Sequence, residues 1–456
     1  MKKHFTYVLL VVAALQFCTW FKPSESFFTP FVLEQFNITE STLIGDIYAW
    51  DVLFQLAGTI LIALTYLVFG HRVPFLVCSA SSIASVSCVL FSSEQWVLLM
   101  SQAFWALAFS SLYVLLIALL QLFPRKLFYK AVSINSVSML VASTVSSFTG
   151  FMLLQFSSVA KDQHGRKLTF FVSFGSAVVS FAILCCAISP CVDIFRRRNE
   201  HQKLERKRSS QQRHKCPSLL LRVKKMMCNL NLVAWLVLGS IVRGIHTEVV
   251  TVWQILSEEI DYSKSKYNAI ISMSAYVSAA ILVLLPTRKN LENVMNMHLW
   301  WLSPLILALS ATFLICVSQA PSFASLGIFY VGFHALAELF LAVVTTQLAK
   351  LAHTDQTSDS DFSQTFVILL SAKFALSLIV EIVVQLFVWP HWGSYHNMFK
   401  LKFDIRQQLL GLGFAIVFAF LLSVLLGVRI FCQQRVQQRQ KKVATMSENL
   451  LDNPNV

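Results

Sequence analysis

The chain has 456 residues, of which 56% are hydrophobic and 13% charged, with 38 Phe and a formal charge of +14. Soluble domains carry about 25% charged residues, so this composition excludes a soluble globule. The charge excess collects in a few short stretches between apolar runs, so no nucleic-acid role is needed to account for it.

Taken in order, the apolar runs are long enough for helices to cross a hydrocarbon layer about 30 Å thick at about 1.5 Å per residue. Inside lipid each run must satisfy its own backbone hydrogen bonds, which makes helix the form to expect. The first span is 5–21. Lys2 and Lys3 ahead of Tyr7–Phe17 look like the charged and apolar parts of a secretory signal, but twelve spans with both ends on one side favour an uncleaved helix. The loop that follows carries Asn37-Ile38-Thr39, an N-glycosylation acceptor. Spans 47–69, 73–91, 96–122, 130–155 and 168–192 complete a first set of six, the second and third joined as a tight hairpin. A second set covers 229–256, 266–286, 296–317, 323–351, 363–389 and 407–432. The expectation is an all-α polytopic membrane protein of about twelve helices. Its parts are an N-terminal six-helix half (1–192), a basic linker (193–228), a C-terminal half (229–432) and a tail (433–456).

Lys and Arg beside the spans set orientation, because cytoplasmic loops accumulate them. Lys2, Lys3, Arg72, Arg125, Lys126, Lys130, Arg288, Lys289 and the tail bases Arg435, Arg439, Lys441 and Lys442 fall on one side. The linker is more basic still, running from Arg196-Arg197-Arg198 to Lys224-Lys225. Both termini and the linker are therefore expected in the cytoplasm, with the linker attracted to anionic lipid headgroups and Asn37 outside.

Ten cysteines supply neither a disulfide framework nor metal-ligand spacing. Cys18, Cys78, Cys88, Cys185, Cys186 and Cys316 sit in or beside apolar runs, where Cys behaves as a small hydrophobe. No metal is assigned. There is no phosphate-binding loop, dinucleotide turn or nucleophile elbow, so neither a cofactor nor an ATP-driven pump is expected.

Ionisable side chains inside spans are the unusual residues, since each costs about 2.5–3.5 kcal/mol at mid-membrane. Asp51 opens span 2. Arg243, His246 and Glu248 lie in span 7. His334 and Glu338, four apart in span 10, share a helix face. Lys373 and Glu381 are eight apart in span 11, roughly 12 Å by helix rise. These side chains either line a solute or proton path, with His334 and Glu338 as a pH-sensitive pair, or form structural ion pairs such as Arg243 with Glu248.

Phe21-Lys22-Pro23-Ser24-Glu25-Ser26-Phe27-Phe28-Thr29-Pro30-Phe31 resembles the K/R-P-S-E-P-F-x-x-P-Y signature after the first span of the reduced folate carrier and thiamine transporter family. Asp46-Ile47-Tyr48-Ala49-Trp50 is similar to that family's acid-Ile-aromatic run with a nearby Trp. Trp253-Gln254-Ile255-Leu256, Tyr267-Asn268 and Thr346-Gln347-Leu348-Ala349 resemble its motifs in and after spans 7 and 10. The resemblance implies a major-facilitator architecture, two six-helix bundles around a central site that rock to expose it alternately to each side. It also implies a plasma-membrane carrier of a vitamin-like solute, with Glu25 and Asp46 as retained acids. Trp50 and Trp253 become candidate stacking surfaces for a flat heteroaromatic ring.

Substrate residues do not carry over. The cationic positions expected to hold a folate dianion correspond to Asn135, His334 and Glu381, and the Glu and Tyr of the thiamine branch fall at Ser111 and Val114. The sequence therefore leaves the solute folate-like or thiamine-like. The alternative is a divergent, non-transporting membrane protein that serves as a binding partner or regulator.

Overall fold

The computed structural model describes residues 2–39, 42–69, 72–120, 125–156, 167–187, 228–261, 267–284, 289–354, 359–388 and 405–451. Helix α1 (Lys2–Trp20) leads through a single 3₁₀ turn (Glu25–Phe27) into a short helix α2 (Phe28–Phe36), and a π-turn at Leu43–Tyr48 opens α3 (Ala49–Phe69). There follow α4 (Arg72–Phe91), α5 (Gln95–Leu120), α6 (Arg125–Phe156) and α7 (Lys167–Ala187). The second set is α8 (Leu230–Asp261), α9 (Asn268–Leu284), α10 (Lys289–Ser318), α11 (Phe323–Thr354), α12 (Asp359–Val388) and α13 (Ile405–Leu451). No strand occurs among the described residues. Eight of these helices are long and apolar enough to cross a membrane, and four shorter apolar stretches fall in α1, α3, α5 and α9. Each of the twelve expected spans thus has its helix in an all-α polytopic membrane protein.

Two features depart from the expected elements. Helix α2 was not anticipated, because nine residues are too few to register as a span; Asn37 ends it at φ 49°, its N–H donating to the Leu33 carbonyl. The last helix continues past 432 to Leu451. After the apolar stretch most of residues 433–446 are Gln, Arg, Lys, Ala or Met, good helix formers, and no Gly or Pro occurs before 451. The basic linker lies, apart from Cys228, outside the described residues.

Helix faces follow from what they meet. On α13, Phe414, Phe418, Leu421, Leu425 and Val428 are all exposed, a stripe at helical spacing suited to lipid, while Leu409, Leu412, Ile416 and Ala419 are buried. The largest core cluster runs through α8, α10, α11 and α13 and includes Trp235, Trp253, Tyr330, Phe333 and Phe340. Many hydroxyls inside the spans return their proton to the carbonyl one turn back: Thr19 to Leu15 at 2.8 Å, Ser240 to Leu236 at 2.7 Å and Thr345 to Leu341 at 2.9 Å. That bond makes a Ser or Thr tolerable where water is absent.

The two sets of helices meet along two seams, α3 against α12 and α6 against α9. Within the second set, α8 lies against α11, α12 and α13. Its approach to α12 is close: Ser240 Oγ, which shares its one proton between the Leu236 and Lys373 carbonyls, stands 3.0 Å from the latter, and a Cβ on Gly244 would stand 2.7 Å from the Ser377 carbonyl oxygen. Small residues let helices approach in this way. Gly244→Ala is therefore expected to force the two backbones apart and to destabilise the protein by about 1–3 kcal/mol. The check is the thermal midpoint of the purified protein in detergent, and an unchanged midpoint would mean the α8–α12 seam is not tightly packed.

Candidate functional site

The loop after α1 is built into the bundle by its backbone. The Lys22 N–H donates to Ser146 Oγ of α6 at 2.9 Å and the Ser24 N–H to Ser173 Oγ of α7 at 3.2 Å. Gly150 of α6 makes room, since a Cβ there would stand 2.7 Å from the Pro23 carbonyl oxygen. Phe31 packs on Phe170 with ring centroids 4.3 Å apart. So held, Lys22 places its ammonium 3.2 Å from the centroid of the Trp105 ring, a cation–π contact, and Glu25 faces a central cavity.

That cavity has a volume of about 310 Å³, at the lower end of small-molecule sites of about 300–1,000 Å³. Its lining comes from the middle and later parts of α1, α4, α6, α8 and α12 and the middle and earlier parts of α3, α5, α7, α9 and α11. Since these groups run in opposite directions, the cavity occupies the end of the bundle that carries the 21–48 segment. Five carboxylates line it, Glu25, Asp51, Glu248, Glu338 and Glu381, against two cationic side chains, Lys22 and Arg243. Asp51 accepts a hydrogen bond from Gln55 Nε2 at 2.8 Å. Asp51 of α3, Glu248 of α8 and Glu381 of α12 bring acidic side chains from three helices to the one lining.

Aromatic rings form the opposing surfaces. Trp253 is stacked on Tyr330, with centroids 4.2 Å apart and planes 20° from parallel. Tyr276 meets the His334 ring edge-on at 5.0 Å. Trp20 stands edge-on to Phe109 at 5.2 Å. Flat rings and acids in one cavity suit a flat solute bearing positive charge.

Charged residues close the deep end. Five residues of helix turn a side chain by about 140°, so Arg243 and Glu248 leave α8 on different faces. Arg243 meets α11 instead, its Nη1 standing 3.5 Å from Glu338 Oε1. His246, three residues on, puts Nε2 3.0 Å from His334 Nδ1 and Nδ1 3.8 Å from Glu338 Oε1. Arg243 and Glu338 also line a second cavity of about 30 Å³, shared with Lys373 and Thr345, where Lys373 Nζ donates to Thr345 Oγ1 at 3.4 Å. The Arg243–Glu338 pair, with Met139, thus lines both cavities and stands as the polar part of the partition between them.

Most of the residues singled out from sequence converge here: Glu25, Asp51, Arg243, Glu248, Trp253, His334, Glu338 and Glu381 line the large cavity, and Lys373 the small one. Two do not join them. Trp50 is 50% exposed and stacked on Phe54; one residue before Asp51, it is turned about 100° away from the cavity. Asn135 is buried outside both linings. The side chain of Asp46 lies outside the described ones, as do those of Ser111 and Val114. Sequence reasoning passed over Lys22, Trp105, Tyr276 and Tyr330 as site residues. Tyr330 was accessible to it, being four residues before His334 and hence on the same face as His334 and Glu338. The cysteine spacings also gave no hint that His246, His334 and Glu338 bring potential metal-ligand atoms within 4.8 Å of one another.

Comparison with known proteins gives the same architecture. Residues 9–360 match the family model described as Major Facilitator Superfamily. A folate-like transporter of Dictyostelium discoideum is 24% identical over 204 residues, covering 42% of this chain; the chain spans about a third (32%) of that relative's length. Among solved structures, the proton:xylose symporter XylE bound to 6-bromo-6-deoxy-D-glucose has the same fold, with a TM-score of 0.61 at 13% identity, over 92% of this chain and 95% of that one.

Proposed function

Because the chain belongs to the major facilitator superfamily, we propose that it is a carrier for a vitamin-like solute, moving it across the plasma membrane by alternating access. The two units that rock are residues 1–192 and 229–432, joined by the 193–228 linker, which rests on anionic headgroups with both termini in the cytoplasm. The seams α3–α12 and α6–α9 are the surfaces along which the units would pivot, and the cavity between them then opens outward. Asn37, exposed at the end of α2, carries a glycan on that outer side.

The observation that carries the substrate class is the charge of the lining: five carboxylates against two cationic side chains, in a cavity of about 310 Å³ with a stacked Trp253–Tyr330 wall. A desolvated carboxylate needs a cation or a proton beside it. A flat, positively charged, thiamine-like solute supplies the charge and stacks on the rings. The folate-like reading draws on the name of the Dictyostelium relative; it needs Lys22, Arg243 and Lys373 to hold a dianion among side chains in which acids outnumber cations.

The test is uptake of labelled thiamine and labelled reduced folate, side by side, in cells that display the chain at a measured surface level. Saturable thiamine uptake without folate uptake is the expected result. Saturable folate uptake alone would overturn the charge argument, and no uptake of either would favour another solute or a protein that binds without transporting.

A further inference from the structure

We propose that His246, His334 and Glu338 form a binding site for a divalent transition metal in the floor of the large cavity, bridging α8 and α11. Their donor atoms lie within 4.8 Å of one another and all three residues are buried. His246 Nε2 and His334 Nδ1 face each other at 3.0 Å. Two ligating nitrogens of a tetrahedral site with bonds of about 2.0–2.1 Å stand roughly 3.3 Å apart. The imidazoles are thus close to the separation a metal ion imposes, with one ion taking the place of the single proton they share. Because the His246 nitrogen recorded beside Glu338 Oε1 is Nδ1, at 3.8 Å, and not the Nε2 that faces His334, the carboxylate completes the site by a turn of the Glu338 side chain or of the His246 ring.

The rings are held where they stand. His246 packs beside Phe333, with centroids 6.1 Å apart, and His334 is enclosed by Tyr276 and Tyr330. Two imidazoles and one carboxylate suit zinc, cobalt or nickel, not the oxygen-seeking calcium and magnesium ions. Three protein ligands leave a fourth position open, as in metal sites that bind a water or a solute. All three residues line the large cavity, so a water or solute in it has access to that position.

Arg243 opposes the ion. Its guanidinium is 3.5 Å from Glu338 Oε1, and Lys373 lies beyond it in the small cavity. A metal ion and Arg243 compete for one carboxylate, so occupancy of the site weakens the partition between the two cavities, and loss of Arg243 strengthens metal binding.

The experiment uses purified full-length protein in detergent, stripped with a chelator and titrated with Co²⁺, which gives visible absorption when bound in a four- or five-coordinate site. One equivalent of Co²⁺ is expected to bind and to be displaced by Zn²⁺ and not by Mg²⁺. His246→Gln and His334→Gln are each expected to weaken binding by more than about tenfold, the loss that follows even from removing an outer partner of a metal ligand, while Arg243→Gln tightens it. The unaltered protein should also melt at a higher temperature with Zn²⁺ than with Mg²⁺, a readout that does not depend on the variants folding. Absence of the cobalt absorption, or absorption unchanged in both histidine variants, would overturn the proposal. None of these measurements involves transport, so the metal site can fail while the carrier reading stands, and the reverse.

Discussion

Arg243→Leu is expected to lower the thermal stability of the protein and to reduce uptake by roughly two orders of magnitude, equivalent to about 3 kcal/mol. Removing one member of a buried ion pair strands the other, at a cost of about 3–5 kcal/mol. The Arg243 and Glu338 side chains are 19% and 9% exposed, so the lower end of that range applies. The second change, Glu338→Leu, removes the stranded carboxylate. The double variant is therefore expected to recover most of the stability lost by Arg243→Leu while uptake stays low, because the partition between the cavities is then apolar and cannot exchange partners with a solute or a proton. Thermal midpoints for the four combinations, with uptake normalised to surface level, complete the cycle. Additive losses of stability would show that the two side chains are not coupled and that the partition lies elsewhere. Recovery of uptake together with stability would assign the pair a purely structural role.

Legibility in the sequence followed the range of the physical signal. Crossing a bilayer requires about twenty apolar residues in one stretch, a local requirement, so all twelve long helices can be placed from the order of residues alone. Helix α2 could not, since Phe28–Phe36 is held by Phe170 and by backbone bonds of the preceding loop to α6 and α7, none of them near it in sequence. The same distinction holds at the site. Ionisable residues in spans announce themselves by their cost, and most of those picked on that ground do line the cavities. Which of them touch is a tertiary matter: His246 and His334 are 88 residues apart, and although the spacing of five sets Arg243 and Glu248 on different helix faces, nothing in the order of residues names Glu338 as the partner of Arg243. Trp50 shows the converse error. It ends the recognisable Asp46–Trp50 motif and immediately precedes Asp51, yet one residue of helix separates a side chain in the cavity from one that is half exposed.

Glu381→Gln is expected to reduce thiamine uptake by at least about tenfold, the equivalent of about 1.4 kcal/mol, and Glu248→Gln to do the same. Hydrogen bonds to a charged partner contribute about 1.5–3 kcal/mol, and both side chains line the large cavity together with Asp51. Each change removes a negative charge with little change in shape, so the fold should persist, and the loss should appear as a raised half-saturation concentration more than as a lowered maximum rate. The two variants combined should lose saturable uptake altogether. The opposite behaviour is expected of an anionic solute. With both glutamates neutral, the cavity's five carboxylates against two cationic side chains become three against two, and any folate uptake should rise, because repulsion of its carboxylates falls. The sign of the change, measured for both solutes in the same cells, therefore separates the two substrate classes even if the unaltered protein transports both weakly. Thiamine uptake indifferent to both glutamates would mean that the acidic wall does not meet the solute, and would move the binding position toward Lys22, Glu25 and the Trp105 ring at the other side of the cavity.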